Sequence, residues 1–174
     1  MAAGHSASLE GHGETVLLVE DETSLRDLTS RILTRHGYRV RAMATGTEAI
    51  ELARALGPTV DLLLTDVVMP EMMGNEVAAA VRAIVPGVPA LYMSGYAQPI
   101  LDSHGVPALS IDILEKPFTE ARLLARVRQA LDAGAAGAGV ADGKGNPAPP
   151  RPRRRYHCRD AARFDREHLG YFAL

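Results

Sequence analysis

Carboxylate side chains follow two short apolar runs of the chain. The run TVLLV at 15–19 ends directly before Glu20 and Asp21, and Asp66 comes two residues after the leucine triplet at 62–64. Taken separately, the first two acids fit the opening turn of a helix, whose dipole favours them, and Asp66 fits the cap of a turn. Brought together, three carboxylates would repel one another unless a cation neutralised them. Such oxygen ligands favour Mg²⁺.

A hydroxyl and an ammonium group follow two later apolar runs. PALYM at 89–93 ends before Ser94, and SIDIL at 110–114 is followed by Glu115 and Lys116. A carboxylate beside Mg²⁺ can attack phosphorus to give an acyl phosphate. The metal and an ammonium group would offset charge on the transferring oxygens, and a serine hydroxyl can donate to a phosphoryl oxygen. The chemistry depends on whether the fold brings these groups together.

The elements between these residues alternate regularly. Helical apolar spacing and short β-type runs predict strands at 15–19, 38–43, 62–66, 89–93 and 110–114, and helices over 23–36, over 45–56, through Val77 to Ile84, over 97–104 and over 119–132. Thr45 and Glu48 fit a capping box, and Gly37 is a good helix terminator. Five strand–helix repeats predict a parallel sheet with right-handed crossovers.

The predicted fold is α/β, a doubly wound five-stranded parallel sheet. The flavodoxin-like strand order 2-1-3-4-5, a (βα)5 arrangement, is one small solution of this class. It places strands 1 and 3 side by side at the topological switch point. Glu20, Asp21 and Asp66 would then meet in one crevice, with Ser94 and Lys116 on the same edge.

Four stretches of the chain resemble one known family. They are VLLVEDE at 16–22, LLLTDVVMPEMMG at 62–74, MSGYA at 93–97 and EKPF at 115–118. In this order they are similar to the receiver domain of two-component response regulators. The likeness covers about residues 14–132, and MSGYA looks most like receivers attached to hybrid histidine kinases or standing alone.

The resemblance implies a role for each residue at the expected sheet edge. Asp66 would be the phosphoacceptor. Asp21, Asp66 and the backbone carbonyl of Val68 would hold Mg²⁺, with Glu20 acting through a metal-bound water. Ser94 would be the switch hydroxyl and Lys116 the cation that pairs with Asp66 and then with the phosphate, with a cis Lys116-Pro117 bond. Phosphorylation would shift a pre-existing population and remodel the face formed by the fourth helix, fifth strand and fifth helix.

Two departures from the family pattern involve three positions, Ile113, Val68 and Tyr96. Ile113 stands where an aromatic switch residue is usual, and Tyr96 is a candidate to take over part of that role or to lie only at the rim. Val68 and Tyr96 occupy the positions that gate water access to the acyl phosphate. Both are bulky and lack a general base. We therefore expect slow self-dephosphorylation and no other enzymatic activity.

Two other functions remain as alternatives. A pseudo-receiver would be an interaction module that never takes phosphate. A haloacid-dehalogenase-like phosphohydrolase also uses Asp and Mg²⁺, but it would want an acid two residues after the nucleophile, where this chain has Val68. The resemblance implies a histidine kinase or phosphotransfer protein as the phosphodonor and an unidentified downstream partner. The face formed by the fourth helix, fifth strand and fifth helix is also a candidate homodimer interface.

Composition and charge limit the classes of protein to which this chain can belong. The 174 residues are 47% hydrophobic and 23% charged, which is typical of a globular protein. The formal net charge is −2, but from residue 134 onward eight basic residues face four acidic ones, so this part carries +4 and the rest −6. An acidic body does not suggest direct DNA binding. With one cysteine, Cys158, no internal disulfide can form.

The two ends of the chain differ from its centre. Residues 1–13 are small and polar, and we expect them to be disordered. Residues 133–174 read as a Gly/Ala/Pro-rich linker and a basic tail, also largely disordered. No secretory signal is recognisable, and no apolar run approaches a membrane span. These features favour the cytoplasm, and the resemblance implies one receiver domain over 14–132.

Overall fold

The computed structural model describes residues 9–95 and 112–137 of the chain. The strands are β1 Thr15–Val19, β2 Arg39–Met43, β3 Leu62–Asp66, β4 Ala90–Ser94 and β5 Asp112–Glu115; the helices are α1 Thr23–Arg35, α2 Gly46–Leu56, α3 Gly74–Ile84 and α4 Glu120–Gly137. A single 3₁₀ turn, Gly57–Thr59, precedes β3. The predicted helix over 97–104 lies outside the described residues.

All five strands are parallel and their order is β2-β1-β3-β4-β5. The predicted flavodoxin-like fold class and strand order are therefore confirmed. Because parallel strands need long return connections, the helices cross over the sheet between them. The carboxyl ends of all strands consequently lie along one edge, which we call the carboxyl edge of the sheet.

Both faces of the sheet are covered by helices. Alternate residues of the central strands point to opposite sides. Leu17 and Leu63 belong to an apolar cluster with α2 and α3. Leu18 and Leu64 belong to a second cluster with α1 and α4. This two-sided burial explains why β1 and β3 read as uninterrupted apolar runs rather than as alternating ones.

Two local signals in the sequence have the structural effect expected of them. The Thr45 hydroxyl accepts from the Glu48 backbone amide at 3.2 Å, and the Glu48 carboxylate accepts from the Thr45 amide at 3.3 Å. This is the predicted capping box at the start of α2. Gly37 follows the C-cap of α1 with φ of +86°, a left-handed conformation that favours glycine.

The structure differs from the sequence-based expectation at both ends of the described chain. Gly11 and Gly13 donate from their backbone amides to the carbonyls of His36 (2.6 Å) and Gly37 (3.1 Å), so residues 9–13 lie against the turn after α1. Helix α4 continues five residues past the predicted end at 132. Its extension, AGAAG, contains alanine, the best helix former. Gly134 there packs so closely on Pro89 that an added Cβ would lie 2.8 Å from the proline Cγ.

In the described part of the chain, every helix is too short or too polar to cross a bilayer.

Candidate functional site at the carboxyl edge of the sheet

Strand register brings the predicted site residues to one place. Val19 of β1 is paired with Thr65 of β3, so the next residues, Glu20 and Asp66, lie side by side at the carboxyl edge of the sheet. Backbone hydrogen bonds continue the ladder beyond the strand ends. Val67 donates to the Met93 carbonyl at 2.9 Å, and Lys116 donates to the Ser94 carbonyl at 2.7 Å. Main-chain hydrogen bonds therefore hold this edge together as far as the residues whose side chains form the candidate site.

Three carboxylates form an acidic cluster, Glu20, Asp21 and Asp66. One oxygen from each lies within 4.8 Å of the others. Glu20 is only 1% exposed, the Asp66 side chain is 13% exposed, and Asp21 faces solvent. One acid is thus buried, one lies at the rim and one is open to water.

Lys116 supplies the positive charge at this cluster. Its Nζ donates to Asp66 Oδ2 at 2.6 Å and to Glu20 Oε2 at 2.8 Å. The Lys116-Pro117 peptide bond is cis, as the resemblance implies. The expected pairing with Asp66 is present, and the ion pair with Glu20 is an additional contact. One ammonium group therefore bridges acids that come from two adjacent strands.

The pKa values reflect this bridge. Burial raises the pKa of Glu20, and its hydrogen bond with Lys116 offsets only part of that effect. Burial alone would lower the pKa of Lys116, but the hydrogen bonds to Asp66 and Glu20 outweigh it and raise the pKa. Lys116 accordingly keeps its positive charge near neutral pH, and it is the cation that compensates the buried carboxylate of Glu20.

The backbone around Asp66 is tightly packed. The Val68 amide donates to Asp66 Oδ1 at 3.4 Å, and the Thr65 hydroxyl donates to the Asp66 carbonyl at 3.0 Å. The amide of Gly74, at the start of α3, donates to the Val67 carbonyl at 2.9 Å. A Cβ at Gly74 would overlap the Asp66 carbonyl oxygen. Helix α3 can therefore begin against the reactive strand end only with a glycine there.

The remaining predicted residues fall into three situations. Ser94 ends β4 and is buried on the same edge as the acidic cluster. Ile113 is paired with Tyr92 within the sheet and packs into the apolar core, and its carbonyl accepts from Arg126 of α4 at 3.1 Å. Ile113 thus packs against the core, and a switch role for it stays a prediction. Tyr96 lies outside the described residues.

Arg26 of α1 was not anticipated from the sequence. Its guanidinium Nη1 donates to the carbonyls of Glu20 at 2.7 Å and Asp21 at 3.2 Å. The sequence contains one indication of these contacts: Arg26 lies near the start of the helix that comes after Glu20 and Asp21. That signal is weak, because a basic residue on an exposed helix face is ordinary.

The acidic cluster suits a hard divalent cation. Three carboxylates from two strands supply oxygen ligands, and the exposed position of Asp21 leaves room for the waters that Mg²⁺ retains. Among the described residues, the ammonium of Lys116 pairs with Glu20 and Asp66 and leaves Asp21 without an ion pair. The residues therefore fit a magnesium ion by their chemistry.

A doubly wound parallel sheet with clustered acids and a lysine at its carboxyl edge defines a class of α/β signalling domain. The chain belongs to the response regulator receiver domain family, whose model matches residues 16–128. It is thus a receiver domain of the two-component response regulators. The family's role is phosphoacceptor signalling, and its members act as switches.

Similar proteins support the same assignment. The chain is 39% identical over 119 residues to the sensor kinase CckA of Brucella abortus (strain 2308), covering 68% of this chain and 12% of that protein. It is 30% identical over 118 residues to the transcriptional regulatory protein CreB of Escherichia coli (strain K12), covering 68% and 51%. A crystal structure of a response regulator receiver protein from Sinorhizobium medicae WSM419 is 38% identical with a TM-score of 0.62, covering 71% and 98%. The chain spans at most about half of the two named full-length relatives, so the likeness concerns their receiver segments.

Proposed function

We propose that this chain is a phosphorylatable switch that accepts a phosphoryl group on Asp66. The observation that carries the proposal is the 2.6 Å contact between Lys116 Nζ and Asp66 Oδ2, beside an acidic cluster whose oxygens lie within 4.8 Å. A histidine kinase or a phosphotransfer protein is the proposed donor. In the proposed site, Mg²⁺ is held by Asp21, Asp66 and the Val68 carbonyl, with Glu20 acting through a water.

The proposed transfer is a substitution at phosphorus. A carboxylate oxygen of Asp66 forms the new O–P bond while the N–P bond of a phosphohistidine breaks, and the leaving imidazole takes up a proton. Bound Mg²⁺ would offset negative charge on the phosphoryl oxygens. Lys116 is placed to do the same, because its ammonium already lies against Asp66. Positioning and charge stabilisation thus account for the reaction without a separate base.

The proposed switch uses the groups nearest to the new phosphate. Phosphorylation adds about −1.5 to −2 charges and three acceptor oxygens. Lys116 would move its hydrogen bond from the carboxylate to the phosphate, and the Ser94 hydroxyl would donate to it. Because the Lys116 amide is bonded to the Ser94 carbonyl, these two residues would respond together. Their movement would change which downstream partner binds.

A phosphate-affinity gel tests the proposal. The full chain is incubated with acetyl phosphate and Mg²⁺, beside Asp66→Asn and the control Asp27→Asn, an exposed acid on α1. We expect a shifted, stable band for the wild type and the control and none for Asp66→Asn. Phosphate release with turnover would instead indicate a phosphohydrolase, and an unshifted wild type would indicate a pseudo-receiver.

Slow loss of phosphate belongs to the same proposal. Val68 is half-buried beside Asp66 and carries no group that could activate water. The shifted band should therefore persist well beyond seconds after acetyl phosphate is removed, and a lifetime of seconds would count against this part. A cytoplasmic location is also proposed, since a single cysteine requires no oxidising compartment.

A further inference from the structure

Arg26 reaches back from α1 to the loop that carries two of the three acids. Its Nη1 donates to the backbone carbonyls of Glu20 (2.7 Å) and Asp21 (3.2 Å), and its Nη2 donates to the Thr23 hydroxyl at 3.3 Å. One planar guanidinium thus contacts Glu20 and Asp21, which follow β1, and Thr23, the first residue of α1. A guanidinium is suited to this because its donors have a fixed fork geometry.

Local side-chain support is weak at this helix start: the Glu22 amide donates to the Glu20 carboxylate at 3.4 Å. The N-cap residue of α1, Glu22, makes no side-chain capping hydrogen bond. In the described part of the chain, no side-chain hydrogen bond or ion pair is found for the Asp21 carboxylate, which faces solvent. The direction in which the Asp21 side chain points is consequently set by the Asp21 backbone. Among the described residues, Arg26 is the side chain that donates hydrogen bonds to the Glu20 and Asp21 carbonyls.

We propose that Arg26 is a positioning residue for magnesium: it fixes the backbone of Glu20 and Asp21 so that their carboxylates face Asp66. This inference rests on the proposed function. Residues behind a metal's direct ligands, when removed, typically cost about 10–100-fold in metal affinity. Arg26 makes no contact with the carboxylate oxygens among its described hydrogen bonds, so it acts through the main chain.

Loss of the Arg26 charge and loss of its backbone contacts should change the affinity for Mg²⁺ in opposite directions. A binding measurement can therefore tell the two effects apart. Removing a positive charge near a cation site strengthens cation binding by Coulomb's law. Losing the backbone contacts weakens binding, because the carboxylates must be ordered again when the ion enters. A weaker site after Arg26→Gln is therefore evidence for positioning that a change in charge cannot imitate.

The experiment is a calorimetric titration of Mg²⁺ alone into the full chain. We expect Arg26→Gln to weaken binding by about tenfold. Arg26→Lys, which keeps the charge but has no fork, should weaken it by about threefold. The control Arg31→Gln removes an exposed charge from the same helix and should leave binding unchanged or slightly tighter. Far-UV circular dichroism and thermal melting check that each variant is folded.

A second readout follows the reaction. If Arg26 affects only the affinity for Mg²⁺, saturating Mg²⁺ should bring the phosphorylation rate of Arg26→Lys to within about twofold of the wild-type rate. The Mg²⁺ concentration that gives half of the maximal rate should remain higher for Arg26→Lys than for wild type. Equal or tighter Mg²⁺ binding in both folded Arg26 variants would overturn the inference alone. A wild type that binds no Mg²⁺ would overturn the proposed function and this inference together.

Discussion

At the scale of single residues, Lys116 has two partners rather than one. Its ammonium lies 2.6 Å from Asp66 and 2.8 Å from Glu20, so it neutralises both the acid at the rim and the buried one. Breaking such a pair leaves buried charge without compensation, which costs more than the pair itself contributes. The acidic cluster therefore depends on this cation for stability as well as for chemistry.

We predict that Lys116→Met lowers stability and that magnesium restores part of it. The loss should be about 1–3 kcal/mol in the absence of metal, because Glu20 would keep its burial and lose its cation. A divalent cation binding to the native state would then stabilise the variant. Thermal melting with chelator and with Mg²⁺ measures this. The magnesium-induced rise in Tm should be larger for the variant than for wild type, and equal rises would contradict the prediction.

At the scale of elements, the close approach of α3 to the end of β3 limits what can replace Gly74. The helix starts where its first residue touches the main chain of Asp66 and Val67. Both neighbours are backbone atoms, which cannot turn aside as a flexible side chain would. The position of Asp66 is thereby coupled to how α3 begins.

We expect Gly74→Ala to destabilise the fold by about 1–3 kcal/mol, the usual cost of overpacking, and to slow phosphorylation of Asp66. The added methyl group would push against the Asp66 carbonyl and displace the reactive strand end. Urea unfolding and the phosphate-affinity gel provide the two measurements. Gly95→Ala, where an added Cβ would meet no atom of the described residues, serves as the stability control and should stay within about 0.5 kcal/mol of wild type. A Gly74→Ala protein as stable as that control would refute the steric argument.

At the scale of the whole molecule, a histidine joins three parts of the chain. His36 follows α1 and contacts Glu10 of the N-terminal segment through Nδ1 at 3.0 Å and Glu120 of α4 through Nε2 at 2.8 Å. Arg35 also pairs with Glu120. The hydrogen bond with Glu120, and then that with Glu10, raises the pKa of His36. The hydrogen bonds with His36 and Arg35 lower the pKa of Glu120.

This network predicts a pH-dependent contribution to stability. The pKa of His36 is higher in the folded protein than its unfolded value of about 6.5. The network therefore stabilises the fold fully below the unfolded pKa, and this stabilisation is lost as the pH rises through the folded pKa. Urea unfolding of wild type and His36→Gln should therefore differ more at about pH 5.5 than at about pH 9. In a Glu120→Gln background this pH dependence should shrink. A difference that is the same at both pH values would show that the network does not contribute.

The sequence predicted the strand ends and the strand order that position the candidate site, because apolar runs and helix signals are local features of the sequence. Apolar runs ending at Glu20, Asp66 and Ser94 mark strand ends, and alternation with helices sets their parallel order. The contacts made by Arg26 were missed, since they depend on how an arginine folds back over one turn. The close approach at Gly74 was missed for a similar reason: it depends on the distance between two backbones rather than on residue pattern.

The ends of the domain were the least predictable part. Residues 9–13 are polar and glycine-containing, yet Gly11 and Gly13 are bonded to the turn after α1. Such contacts between distant main-chain groups leave no periodic signal in composition. Glycines at 134 and 137 suggested a linker, but the alanines among them continue the helix. The position of Gly134 against Pro89 supplies a tertiary contact that propensity cannot foresee.

The continuation of α4 has a mechanical consequence. Five more residues carry the chain about 7.5 Å farther along the helix axis, and Gly134 seats that extension on Pro89. Helix α4 therefore ends at residue 137 rather than at residue 132, and its last turns pack against Pro89, directly before β4. Because an added Cβ at Gly134 would lie 2.8 Å from the proline Cγ, any side chain there would push the end of α4 away from the start of β4.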